Sequence, residues 1–197
     1  MATILRIGSS ETRLCTVSIF EKMGETDHHC NLLIQDHGID FFKSLLEVLT
    51  DEISEKASSC ALKVLIKILK VSKKSRLKAI EAGAICTLIE LVPDSTRSKC
   101  EKIMYLIKLM CESADGRLAF AEQAVGIAAV SEKLLNVSDA ATKIGVKFLW
   151  LLCNFNPTQK ERVVVNILKL HANSWSRYPC FPREMKEYLG LGGVPCA

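Results

Sequence analysis

Apolar residues recur three and four apart along most of the chain, the spacing that lays one buried stripe along an α-helix. Over 51–71 the stripe is Ile53, Ala57, Cys60, Ala61, Val64, Ile68 and Val71. Residues 96–112 repeat it with Ile103, Leu106, Ile107 and Met110, and residues 138–154 with Ala141, Ile144, Phe148, Leu151 and Leu152. Polar start signals stand ahead of the second and third stretches. Asp94-Ser95-Thr96 and Ser138-Asp139 offer side-chain oxygens to the first unbonded N–H groups of a helix. The alternation of a half-buried strand is missing. Proline first occurs at Pro93, and three of the five prolines follow residue 178, so the body reads as helical and the tail from about Trp175 as irregular. The pattern predicts an all-α chain.

The helices also recur as a unit. Leu65-Ile66-Lys67-Ile68-Leu69 aligns with Leu106-Ile107-Lys108-Leu109-Met110 at an offset of 41, and that segment with Leu149-Trp150-Leu151-Leu152-Cys153 at an offset of 43. Arg76-Leu77 and Arg117-Leu118 follow the first two segments, again 41 apart. A period of about 40–47 residues is that of armadillo and HEAT arrays, whose units cannot close their own cores and stack into a solenoid. Ile80-Glu81-Ala82-Gly83-Ala84-Ile85-Cys86-Thr87-Leu88-Ile89-Glu90-Leu91-Val92 resembles the armadillo junction between a short first helix and a second one. Gly83 falls where the turn needs positive φ or a close backbone approach. Gly38 takes the same place one repeat earlier, and Ala124-Val125-Gly126-Ile127 is a weaker match one repeat later. The fold expected is a right-handed armadillo solenoid. Its layout is a partial unit over 1–24 with a leading helix at 11–23, then repeats at 25–71, 72–112 and 113–154. A stub at 155–174, with a helix at 157–173, and an irregular tail over 175–197 complete it.

Composition narrows the function classes. With 49% hydrophobic and 24% charged residues, 197 residues suffice to bury a core. A balance of 26 Lys+Arg against 22 Asp+Glu leaves a net charge of +4, too small for a nucleic-acid or membrane footprint. No apolar run reaches the roughly 18–20 residues of a membrane span. The start, Met-Ala-Thr-Ile-Leu-Arg, lacks a signal-peptide layout. A soluble, cytoplasmic protein is expected. The nine cysteines are odd in number, form no CxxC pair, and lie mostly among aliphatic residues, as in Ala84-Ile85-Cys86 and Leu151-Leu152-Cys153. They read as reduced core residues, with no metal and no cofactor.

Candidate chemistry is sparse. Asp27-His28-His29-Cys30 spells the DHHC acyltransferase signature, but the zinc-binding cysteine-rich segment and membrane helices of that family are missing. It reads as a helix-start turn with Asp27 as cap. His37 nearby adds no regular ligand spacing. There is no glycine-rich phosphate loop, no GxSxG and no paired carboxylate arrangement, so no catalytic residue is assigned. Residues 61–80 contain Lys63, Lys67, Lys70, Lys73, Lys74, Arg76 and Lys78 and no acid. Lys67, Lys70 and Lys74 are expected to share a helical face. The run is either a solvated face or a patch for an acidic protein surface. No aromatic residue interleaves with it to stack on bases, which argues against nucleic acid. In armadillo solenoids the third helix lines the groove, so Lys63, Lys67, Lys70, Lys74 and Lys108 are candidate partner contacts. Trp150 and Asn154 join them, because their spacing of four resembles the pair with which importin-α grips peptide backbone. The aligned positions of earlier repeats, Ile107 with Cys111 and Ile66 with Lys70, do not repeat that pair.

From about Leu32 to Trp175 the chain resembles the armadillo region of plant U-box E3 ubiquitin ligases. The resemblance is carried by Lys78-Ala79-Ile80-Glu81-Ala82-Gly83-Ala84-Ile85 and by Cys100-Glu101-Lys102-Ile103-Met104-Tyr105-Leu106-Ile107-Lys108-Leu109-Met110-Cys111. Asn154-Phe155-Asn156-Pro157-Thr158-Gln159-Lys160-Glu161-Arg162-Val163, then Ile167-Leu168-Lys169-Leu170-His171, Trp175 and Pro179-Cys180, continue it. In that family the U-box recruits the ubiquitin-conjugating enzyme and the armadillo groove holds the substrate. The resemblance implies a role in stress or defence signalling, with a protein substrate or receptor-like kinase as partner. The 197 residues contain no U-box, so this chain alone is expected not to transfer ubiquitin. Val164-Val165-Asn166 joins segments that the family separates by another helix pair. Phe148, Leu149, Trp150, Leu151, Leu152 and Phe155 are therefore expected to lack part of their cover.

Overall fold

The structure, a computed structural model, describes residues 2–23, 27–51, 54–133 and 137–155, with side chains described over 4–22 and, from residue 38 on, throughout those stretches. The expected stub helix at 157–173 and the tail over 175–197 lie outside these residues. So do Ile53 and the side chains of Asp27, His28, His29, Cys30 and His37.

Every described element is a helix. In order they are α1 (Ala2–Ile7), α2 (Ser10–Met23), α3 (Asp27–Thr50), α4 (Glu55–Val71) and α5 (Lys73–Glu81). Then come α6 (Ala84–Leu91), α7 (Arg97–Met110), α8 (Ala114–Ala121), α9 (Gly126–Lys133) and α10 (Asp139–Phe155). The leading helix expected at 11–23 is α2, and the short α1 before it had no stripe long enough to announce it. α3 is two helices joined at Gly38, whose φ of 41° and ψ of −121° break the helical path. Gly83, at φ 86°, makes the corresponding turn between α5 and α6. Gly126 has no positive φ; a Cβ there would sit 2.9 Å from the Phe120 ring and 3.0 Å from Ile89, so close packing is what selects glycine.

The long helices form one layer: α2 packs on α4, α4 on α7, and α7 on α10. The shorter α5, α6, α8 and α9 form a second layer with α3, and a single apolar core runs between the two. Phe20 and Phe41 meet edge to face with centroids 5.2 Å apart and tie α2 to α3. Packing corrects the predicted stripe of α4. Val71 is 54% exposed, whereas Leu62, Leu65 and Leu69, off the stripe, are buried. α4 touches α2, α3 and α7 at once, so it buries most of its circumference and not one stripe.

The repeat length is also corrected. Ser58, Ala61, Leu62, Val64, Leu65, Ile68 and Leu69 are buried in α4. Cys100, Ile103, Met104, Leu106, Ile107, Met110 and Cys111 are buried around α7, and Thr142, Gly145, Val146, Phe148, Leu149, Leu152 and Cys153 in α10. These sets are related by 42 residues in both steps (58 to 100 to 142). The offsets of 41 and 43 matched similar letters one residue out of phase. Val71, with no counterpart after α7, brings the following Ser72 and Arg76 back to an offset of 41 from Ser113 and Arg117.

Helix starts are capped where serine stands. Ser54, Ser72, Ser113 and Ser138 accept from the N–H of Ala57, Ser75, Gly116 and Ala141 at 3.1–3.2 Å. Thr96, part of an expected start signal, precedes α7 without a side-chain cap bond. At the far end the expectation of missing cover divides: Trp150 and Leu151 are half-buried, whereas Phe148, Leu149 and Leu152 are at most 2% exposed. Phe148 faces back into the stack, where Phe120 meets it edge to face at 4.6 Å. Phe155 is 61% exposed.

Two glycine substitutions separate strain from collision. A Cβ at Gly83 has open space around it, so Gly83→Ala is expected to cost only the left-handed backbone term, about 1–2 kcal/mol. A Cβ at Gly116 would lie 2.0 Å from the Met110 carbonyl oxygen, so the backbone itself must move. Urea melts are expected to show Gly116→Ala as the more damaging change.

Candidate protein-binding face

The layer of α4, α7 and α10 presents a continuous outward face, because the buried positions fix the phase of all three helices. With the 42-residue register, Lys63, Tyr105 and Lys147 fall in one row across it (63 to 105 to 147). Ile66, Lys108 and Trp150 form the next row, and Lys70, Glu112 and Asn154 the one after. Trp150 is half-buried and Asn154 exposed. The positions earlier aligned with them, Ile107 and Cys111, are fully buried. Their true counterparts are Lys108 on α7 and Glu112 in the turn that follows it. Tyr105, Lys143 and Lys147 escaped the sequence reading; counting by 42 from Lys63 would have found Tyr105 and Lys147, and Lys143 stands one turn before Lys147.

The lysines of the basic run separate by environment. Lys63 Nζ lies 3.0 Å from Glu21 Oε1, and Lys67 Nζ donates to the Glu21 carbonyl oxygen at 2.7 Å. The bond to Lys63 holds the Glu21 carboxyl below its ordinary value, and Glu21 in turn raises the Lys63 ammonium. Lys67 also caps the last turn of α2, whose terminal carbonyls have no helical partner. Lys70 is exposed on α4. Lys74 does not share its face: α4 ends at Val71, Ser72 is extended (φ −120°, ψ 117°), and Lys74 belongs to α5. Proline-free sequence hid that break.

Arg76 binds the end of α4. Its Nε donates to the Leu69 carbonyl at 2.6 Å, and its Nη1 lies 2.6 Å from Glu112 Oε2. Glu112 also takes Lys108 Nζ at 2.7 Å. Burial alone would raise the Glu112 carboxyl, but Lys108 and Arg76 outweigh it and hold the group below its usual range. Arg117 repeats the device after α7, donating to the Cys111 and Glu112 carbonyls at 3.1 Å, and its guanidinium lies 4.0 Å over the Phe155 ring. The paired arginines of the sequence are thus helix-end clamps.

The described residues of this surface form no catalytic arrangement. Among the described residues no group of His, Cys, Asp and Glu is placed to hold a metal ion. Cys15, Cys60, Cys86, Cys100, Cys111 and Cys153 are free thiols. Burial pushes the Cys60, Cys86, Cys100 and Cys111 thiols up, away from the reactive thiolate. No described helix is long and apolar enough to cross a membrane.

The family model described as the plant U-box protein ARM repeat region matches residues 1–168. The chain belongs to this family. It is 26% identical over 217 residues to the E3 ubiquitin-protein ligase PUB22 of Arabidopsis thaliana, covering 95% of this chain and 49% of that protein. It is 30% identical over 176 residues to PUB23 of the same plant, covering 74% of this chain and 43% of that protein. The chain therefore spans about half the length of the curated relatives it matches. Among solved structures it resembles a computationally designed armadillo repeat protein for modular peptide recognition (TM-score 0.77, 18% identity, 97% of this chain and 78% of that one). A designed armadillo repeat protein in complex with peptide (KR)4 matches at a TM-score of 0.72 and 18% identity, over 97% of this chain and 78% of that one. The fold of this ARM region is an all-α armadillo solenoid.

Glu112 gives this region an acid-side signature. Its lowered carboxyl contributes stability in full above the ordinary value near 4.5, and that contribution is lost as pH falls through the lowered one. Glu112→Gln is expected to lose stability at pH 7, within about 1 kcal/mol for a partly exposed pair, and to show a shallower loss in acid. Urea titrations between pH 3 and pH 7 on both proteins measure the difference.

Proposed function

We propose that this ARM region is a protein-interaction module, the substrate-binding part of a U-box ubiquitin ligase, with no ubiquitin transfer of its own. The observation that carries the reading is the unbroken outward face of α4, α7 and α10, held in phase by one buried set per helix. Two solved proteins of this fold are titled for peptide recognition or peptide binding, which supports the use of the face for a polypeptide segment. In this reading the repeats over 25–71, 72–112 and 113–154 each add one third helix to the groove. Trp150 and Asn154 grip backbone at its C-terminal end, with Lys70 and Lys108 among the cations of the face; Lys63 and Lys67, held by Glu21, and Lys74, on α5, stand beside the contact.

The names of PUB22 and PUB23 support ubiquitination as the pathway. The bound protein is then a ligase substrate or a receptor-like kinase in stress or defence signalling. A ubiquitin-conjugating enzyme is engaged only where a U-box is joined to these repeats. The free thiols fit a cytoplasmic site of action. No cofactor takes part.

Purified with activating and conjugating enzymes, the 197-residue chain is expected to build no polyubiquitin. The same chain fused behind a U-box is expected to modify a protein captured by the repeats. Trp150→Ala is expected to weaken that capture about tenfold, as loss of a buried aromatic anchor does, while helicity is kept. Chains formed by the unfused protein, or capture untouched by changes anywhere on the α4–α7–α10 face, would remove this reading.

A further inference from the structure

We propose that the segment held on this face is acidic, and that its carboxylates sit at Lys70, Lys143 and Lys147 and not at Lys63 or Lys67. The proposal rests on the reading of the face as the binding surface. Its basis is which charges on the face are already satisfied. Glu21 occupies Lys63 with its carboxylate and Lys67 with its carbonyl, and displacing it would uncap α2. Glu112 is shared by Arg76 and Lys108. Glu101 accepts from the Ser138 hydroxyl and lies 3.8 Å from Arg97 Nε. Each of these carboxylates on or beside the face thus has its cation or donor.

Lys70, Lys143 and Lys147 are exposed, and no side chain among the described residues pairs with them. Asp139, four residues before Lys143, forms no ion pair with it among the described residues. Lys143 and Lys147 stand one turn apart on α10, a like-charge spacing that disfavours the helix slightly until an anion lies between them. Trp150 follows on the same line of α10, and Tyr105 holds the neighbouring place on α7. An extended acidic segment therefore meets cations flanked by aromatic surface. A basic segment meets on this line of α10 only the exposed Asp139 of its first turn, and then has to pass Lys143 and Lys147.

The test titrates the full chain into fluorescein-labelled octaglutamate, octalysine and (Gly-Ser)4 peptides, and into a random-sequence peptide panel, by fluorescence anisotropy. Octaglutamate is expected to bind, and acidic sequences to dominate the panel. Lys143→Glu with Lys147→Glu is expected to weaken octaglutamate about tenfold or more, because two exposed attractions are lost and two repulsions take their place. Lys70→Glu is expected to act less strongly. Lys63→Ala, and the pair Lys73→Glu with Lys74→Glu on α5, are expected to leave affinity within about twofold, which separates a site from general attraction to a basic protein. Circular dichroism checks that each variant folds. Equal loss from the α5 pair, or loss from Lys63→Ala but not from the α10 pair, overturns the placement. Basic or neutral peptides bound in preference overturn the acidic partner while leaving the binding face in place. No peptide of any class bound overturns the face itself.

Discussion

The burial of the same seven positions on α4, α7 and α10 decides everything those helices show to solvent. Turning α7 by one residue, about 100°, would move Lys108 inward and Ile107 outward. The second change forfeits roughly 1.5–3 kcal/mol of burial, and the first puts an ammonium into an apolar layer at a cost of several kcal/mol. Ile107 is fully buried and Lys108 bonds Glu112 at the surface, so the phase is set from inside. The outward residues need satisfy no packing rule of their own. They are left for recognition.

The ends of these helices impose a second constraint. Each long helix finishes with carbonyls that have no helical partner, and the next short helix begins with N–H groups in the same state. Ser72 and Arg76 resolve both ends of one break, and Ser113 and Arg117 resolve the next. Arg13 does the same between α1 and α2, donating to the Gly8 and Arg6 carbonyls while paired to Asp51 at 2.7 Å. An arginine suits the task because one planar fork reaches two carbonyls and a carboxylate together. Through Glu112 the clamp on α4 also reaches Lys108 of α7, so adjacent units are joined at the surface as well as in the core.

Helix content and the two positive-φ turns were legible because each has a local cause: spacing of apolar residues, or a glycine between two short helices. Register was not. Leucine, isoleucine and lysine recur so often that several offsets match letter for letter, and only burial separates Ile107 from Lys108. The state of the lysines was hidden for a different reason. Glu21 meets Lys63 from 42 positions away and Lys67 from 46, while Glu112 meets Arg76 from 36. In a run without acids, Lys63 and Arg76 thus meet carboxylates in space and Lys67 meets a carbonyl. The cover over Phe148 was misjudged because a side chain of a stacked helix can point back to the preceding unit, as Phe148 does onto Phe120.

Low identity to relatives of the same fold follows from the same division of labour. Core sites of this stack require an apolar residue of about the right volume, and many combinations meet that condition. An identity of 18% to the designed armadillo proteins therefore coexists with one architecture, at TM-scores of 0.72 and 0.77. The face of α4, α7 and α10 lies under no such condition, so its charges drift independently of the fold. Two chains can share every buried position and still hold partners of opposite charge. What distinguishes this chain is then a small set of outward side chains, and their effect depends on pairing more than on number. A lysine beside Glu21 is part of the scaffold; a lysine beside only water and Trp150 is available to a ligand. Partner choice in such a solenoid is set by which charges the stack leaves unpaired.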